Sequence, residues 1–169
     1  MAQILSHTPI WVFVLFVVLV VFGLQQARSR NVPMLLAYFF PAGMIALSLA
    51  GVLSSFGIAP AAIGLWAIGL VVIATLAYQM FPLKGIVFNS ETKRFFVPGS
   101  WVPFVVIMAI FFTKYSVAVM LSLGSPLLAD EGFRLLLSFA YGCFSGYFAS
   151  RALALIKAGN VNPLNTANN

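Results

Sequence analysis

The stretch "KGIVFNSETKRFFVPGSW", residues 84–101, decides how the rest of the chain is threaded. It is a long polar interval between apolar runs, and it carries Lys84, Glu91, Lys93 and Arg94. Within it, Gly85–Phe88 and Phe95–Val97 are short runs suited to strands, separated by the polar turn Asn89–Lys93. That pattern predicts a β-hairpin over residues 84–98. A lone hairpin is marginal in water, so this one is expected to rest on lipid headgroups with its phenylalanines turned inward. The competing reading of the same residues is an irregular amphipathic loop.

Outward from this interval the chain is too apolar for a soluble domain. Of 169 residues 62% are hydrophobic and 7% charged, with a mean hydropathy of +1.06, whereas soluble domains carry about 25% charged residues. Five segments reach the roughly 20 residues that a span requires: 9–27, 33–55, 60–81, 101–123 and 130–156. The expected fold is an all-α membrane protein, a five-transmembrane-helix bundle with a short cytoplasmic β-hairpin between helices 3 and 4. Residues 1–158 form its single domain and 159–169 a disordered polar tail. The first segment lacks a basic lead and is followed by Arg28 and Arg30, which predicts a retained helix rather than a cleaved signal. Thr8 before Pro9, Asn31 before Pro33, Ser100 before Trp101, and Ser125 to Glu131 supply helix-start signals.

Charge fixes the predicted orientation. Arg28, Arg30, Lys84, Lys93, Arg94, Arg151 and Lys157 all fall on one side of such a bundle. The opposite connections hold no lysine or arginine. By the positive-inside rule the N-terminus is expected outside and the C-terminus in the cytoplasm. Trp11 and Trp66 then lie toward the outer interface, Trp101 and Tyr78 toward the inner one. The net charge of +6 is therefore read as facing anionic headgroups of the lipid bilayer, with no nucleic acid as partner. The single cysteine, Cys143, excludes an intrachain disulfide.

Helix 5 carries Ser138, Gly142, Gly146, Ser150 and Ala154 at intervals of four, and helix 2 carries Ala42, Ala46, Ala50 and Ser54. Small residues so spaced let backbones approach closely in lipid. Both stripes are expected to face protein, and each other in one arrangement. A homodimer or another membrane-complex partner would use them equally well.

Lys114 lies within "VIMAIFFTKYSVAVML", residues 106–121, roughly 14 Å from the outer end of helix 4 at about 1.5 Å per residue. At that depth a lysine costs on the order of 2.5–3.5 kcal/mol. Three readings stand: a structural lysine tied to the Ala37 carbonyl released by Pro41 or to Tyr38 or Tyr78, a snorkelling lysine, and a functional cavity lysine beside Tyr115. Asp130, Glu131 and Arg134 form an outer polar cluster that His7 would extend. Its plain reading is a helix start whose dipole is satisfied. One histidine and two acids could in principle bind a metal, but their spacing follows no metal motif, so no metal, cofactor or catalytic residue is predicted.

"HTPIWVF", "RSRNVP", "VPGSWVPF", "FFTKYSV" and "YGCFSGYFASR" resemble an uncharacterised family of small bacterial inner-membrane proteins. The most specific pieces are HTPxWVF and PGSW…FxxKY. This resemblance implies a bacterial inner-membrane location and assigns no activity or substrate. His7, Trp11, Trp101, Lys114 and Tyr115 fall within its segments. In layout alone the chain is also similar to the CcdC-like membrane proteins linked to cytochrome c biogenesis, although one cysteine gives no thiol-redox pair.

Three functions follow from these readings. The first is a non-enzymatic accessory or assembly subunit whose bundle presents a surface to a partner. The second is a small transporter or channel-like protein using Lys114 as a midplane charge. The third is a membrane-embedded lipid-modifying enzyme with the outer polar patch as its site.

Overall fold

The computed structural model describes residues 9–56, 59–80 and 85–160. Among these are five helices and three short strands: α1 (Ile10–Gln26), β1 (Arg30–Pro33), α2 (Met34–Phe56), α3 (Pro60–Met80), β2 (Val87–Asn89), β3 (Arg94–Val97), α4 (Val102–Ser122) and α5 (Glu131–Asn160). A 3-10 turn, Pro126–Leu128, precedes α5. Three helical stretches, Met34–Leu53, Pro60–Met80 and Val102–Ser122, are long and apolar enough to cross a membrane. The chain divides into two units. One is built from α1, α4 and the 3-10 turn, the other from α2, α3, α5 and the strands.

In the first unit, α1 and α4 meet through small-against-large contacts. Gly23 leaves room for Phe104, whose ring would stand 2.5 Å from any Cβ added there. Further along, Phe16 packs on Phe111 with ring centroids 5.2 Å apart. The chain enters this unit's second half at Gly99, where a Cβ would collide with the Ala27 backbone. Ser100 N–H donates to the Gln26 carbonyl at 3.0 Å, tying the end of α1 to the start of α4. The Ser100 hydroxyl then accepts from Val102 N–H at 3.3 Å. At the other end α4 closes with a Schellman turn. Gly124 takes φ +60°, Gly124 N–H bonds to Leu121 O, and Ser125 N–H bonds to Met120 O.

The second unit is organised by α3 against α5. A Cβ on Gly142 would run into the carbonyl oxygen of Trp66, and one on Gly146 into that of Leu70. On the facing helix, a Cβ on Gly69 would stand 2.6 Å from the Phe139 carbonyl oxygen. Glycines on both helices thus bring backbone onto backbone, which in lipid is the principal route to tight packing. Ser138 and Ser145, on the same stretch of α5, are fully buried.

This geometry corrects the expected pairing of stripes. Ser138, Gly142, Gly146 and Ser150 are buried, with Gly142 and Gly146 turned to α3, while Ala42, Ala46 and Ala50 of α2 are exposed. The side chain of Ser54 lies outside those described. The reason is angular: α2 buries Ala37, Pro41 and Val52, a different face from the 42–46–50 stripe. Gly69, which sequence reading passed over, supplies the counterpart that alanines were expected to give.

The strand region also differs from expectation. The two strands of the 84–98 segment are joined by a third, in the order β1-β3-β2, all antiparallel. Arg30–Pro33 was expected to lead into helix 2, but it pairs instead with Val97–Arg94, and α2 begins at Met34. Pro33 fits at the strand's end because it has no N–H to contribute. The hairpin loop is closed by the Asn89 side chain, which accepts from Thr92 N–H at 2.9 Å. Lys93 takes a positive φ of 50°. Register places Val32, Phe95 and Phe88 side by side, and this face packs with Ala37, Val97 and Leu155. Helix α5 runs on through Gly159 to Asn160, longer than the expected end at 156, because Gly159 sits against the Phe95 ring and the Tyr38 hydroxyl. Residues 161–169 of the expected tail lie outside the described residues.

Phe95 is the fully buried centre of this sheet, 0% exposed. Phe95→Ala is expected to lower unfolding free energy by about 3–5 kcal/mol, the range for emptying a buried aromatic site, measured by denaturant unfolding in detergent. An effect near zero would show that the sheet does not pack on the helices.

Candidate functional site

The described residues singled out from sequence are divided between the two units. Lys114 is exposed near the middle of α4 in the first unit. Beside it, Tyr115 stacks on Phe111 with ring centroids 6.2 Å apart and an interplanar angle of 7°. Asp130 is exposed at the end of that unit. Glu131 and Arg134 begin α5 in the second unit, where Glu131 provides a first-turn acid for the helix dipole. His7 lies outside the described residues. Ala37, Tyr38 and Tyr78, considered as acceptors for Lys114, belong to the second unit.

Two polar assemblies that sequence reading missed lie within the second unit. In the first, the Trp66 indole N–H donates to the Ser48 hydroxyl at 3.2 Å. Ser48 in turn donates to the Tyr141 carbonyl at 3.0 Å. The Ser145 hydroxyl donates to the same carbonyl at 3.0 Å. A single backbone oxygen of α5 thereby anchors α2 directly and α3 through a relay. The physical signal was weak: a lone serine in an apolar helix looks like any Ser that bonds back to its own turn. That is what Ser138 and Ser150 do, donating to Arg134 O and Tyr147 O.

The second assembly is basic and aromatic. An Arg151 guanidinium N–H donates to the Tyr147 hydroxyl at 3.1 Å, with the guanidinium carbon 5.9 Å from the Tyr147 ring centroid. Lys157 Nζ stands 5.9 Å from the Tyr78 ring centroid. These are cation–π distances. Burial first, and the nearby Arg151 charge second, push the Arg30 guanidinium below its ordinary value. Among the described residues no three His, Cys, Asp or Glu side chains come together as a metal site.

A family model matches residues 1–163, and its description is a family of unknown function, DUF6622. The chain belongs to that family. No curated protein and no solved structure matches it. For this DUF6622 chain the site chemistry therefore rests on its own residues. Those residues provide a serine-centred tie between helices and a cationic, aromatic-backed cluster where α5 meets the sheet.

Replacing Ser48 by Ala removes both the acceptor for the Trp66 indole and a donor to Tyr141 O. The expected cost is about 1 kcal/mol, the net worth of a typical hydrogen bond, since Ser48 and Trp66 are half-buried. It should come with a shift of the Trp66 indole proton resonance, while those of Trp11 and Trp101 stay in place. An unmoved Trp66 resonance would contradict the relay.

Proposed function

We propose that this DUF6622 chain is a multi-pass protein of the bacterial inner membrane that acts as a non-enzymatic accessory or assembly subunit. Its five helices are read as five crossings, with the amino end outside, the carboxyl end in the cytoplasm and the small sheet on the cytoplasmic side. Support for the orientation comes from the seven basic residues grouped at Arg28, Arg30, Lys84, Lys93, Arg94, Arg151 and Lys157.

The observation that carries the assembly reading is the outward face of α2. Ala42, Gly43, Ala46 and Ala50 are exposed along it, and Gly43 has no neighbouring atom within 4 Å of an added Cβ. Exposed Phe39 and Leu47 border this stripe, whereas the exposed side of α1 shows bulky Phe13, Val14, Val17, Val18 and Val21. In lipid a bulky face suits acyl chains, whereas a small-residue face lets another membrane-spanning helix come close. Buried Ser138, Ser145 and Ser150 and half-buried Ser48 bond to backbone carbonyls of their own unit, an arrangement suited to holding shape.

Two measurements test this reading. In a chain whose native Cys143 is replaced by Ser, a membrane-impermeant thiol reagent added outside should label Ser125→Cys and spare Ser90→Cys. The opposite pattern would reverse the topology. Purification in mild detergent should recover the chain with a companion or as a self-associated species, and Ala46→Leu should release it. A monodisperse chain without companion or self-association would contradict the assembly role.

A further inference from the structure

We infer that the outward face of the β1-β3-β2 sheet docks on anionic lipid headgroups, an inference that rests on the membrane reading proposed above. Burial alternates along the strands. Val32, Phe88, Phe95 and Val97 turn in toward Ala37 and Leu155, while Asn31, Val87, Arg94 and Phe96 are exposed on the other side. Register sets Val87 directly opposite Phe96, and they are 57% and 43% exposed. An antiparallel sheet with one face on a core and the other in water is expected to be polar outside. Here two of the hairpin's phenylalanines turn in, and Phe96 turns out beside a valine.

The sheet is fixed at one end of the helices of its unit. Strand β1 runs into α2 without a linker, and Met34 N–H donates to the Lys93 carbonyl at 3.1 Å. The inner face packs on Ala37 and Leu155, which lie near the start of α2 and the end of α5. Met34–Leu53 is long and apolar enough to cross a membrane, so a sheet beside its first turn stands at headgroup depth. Lys157, in the last turn of α5, lies 5.9 Å from the Tyr78 ring centroid near the end of α3. Tyrosine and lysine at helix ends are anchors of that kind of interface.

The chemistry of the face selects its occupant. Arg94 shares the outward side with Phe96, two positions along β3. None of the outward strand residues is acidic, and Glu91 stands in the turn with Lys93. A ring and a branched side chain can enter the upper acyl region while the guanidinium reaches headgroup phosphates, the division of labour of interfacial segments. Positive charge at that level is drawn to an anionic leaflet. Size argues against a protein in this place. Three strands of at most four residues make a face of roughly 13 Å by 14 Å, on the order of 200 Å². A specific protein interface takes about 800 Å² from each partner. Lipid sets no such minimum, because the spanning helices already hold the sheet at the surface.

The test places a nitroxide on single cysteines of the full chain, with Cys143 replaced by Ser, in vesicles of phosphatidylcholine with or without phosphatidylglycerol. Collision with oxygen reports lipid, and collision with a water-soluble nickel chelate reports water. Labels at Phe96→Cys and Val87→Cys should favour oxygen, and one at Ser90→Cys, in the hairpin turn, should favour nickel. Either strand site suffices if the other variant fails to fold. The oxygen preference should rise with phosphatidylglycerol, and Arg94→Gln should remove that rise. Nickel access at the strand sites equal to that at Ser90→Cys puts the face in water and overturns the proposal. Low access to both reagents means that protein covers the face, with the same consequence. So does a phosphatidylglycerol effect that is absent or indifferent to Arg94→Gln. Val71→Cys, exposed midway along α3, separates this outcome from failure of the membrane reading. Nickel access there defeats both, whereas oxygen access there with nickel access at Phe96→Cys defeats the docking alone.

Discussion

The second unit depends on the direct approach of the α3 and α5 backbones. Gly69, Gly142 and Gly146 each occupy a position where one added carbon would strike the facing helix. In water, burial of bulky side chains would drive two helices together, but lipid tails are as apolar as leucine and supply no such push. For a helix pair in lipid, close van der Waals contact has to take its place, and only glycine permits it at these positions. From that seam the rest of the unit follows. Tyr141, on α5 next to Gly142, offers its carbonyl to Ser48, which draws α2 in. The far end of α5 then carries Leu155, Ala158 and Gly159 onto the sheet around Phe95.

Much of this was legible in the chain because its signals are local. Helical lengths follow apolar runs, and the described bounds of α1 to α4 fall close to the expected segments. Asn89 to Lys93 advertised a turn, and the turn is closed by Asn89 itself. The small-residue periodicity of α5 marked the face that is buried. What stayed hidden is non-local. Arg30–Pro33 carries cap and proline signals for a helix start, yet its strand identity comes from β3, more than sixty positions away. Gly69 alone in α3 announces nothing until the opposing carbonyl of Phe139 is in place. The alanines of α2 show the same spacing as the α5 stripe, but spacing identifies a face without naming its neighbour.

The same distinction applies to the residues that invite a functional reading. Lys114 stands out in sequence because charge is rare in an apolar helix, and the fold places it on α4 in a different unit from Arg30 and Arg151. Those two arginines looked ordinary, since both fall on the side of the bundle where positive charge is expected. Their interest appears only when β1 joins the sheet and α5 reaches it. Tyr147 was equally inconspicuous, although its hydroxyl fixes Arg151.

The backbone seam is tested most directly by a matched pair of alanine substitutions followed by thermal unfolding in detergent. Gly142→Ala puts a methyl against the Trp66 carbonyl, whereas Gly64→Ala, on α3, meets no atom within 4 Å. The seam predicts a clear drop in Tm for Gly142→Ala. Gly64→Ala should leave Tm unchanged or raise it slightly, since alanine favours a helix interior by roughly 1 kcal/mol over glycine. Equal Tm values for the two variants would mean that α3 and α5 are not held backbone to backbone.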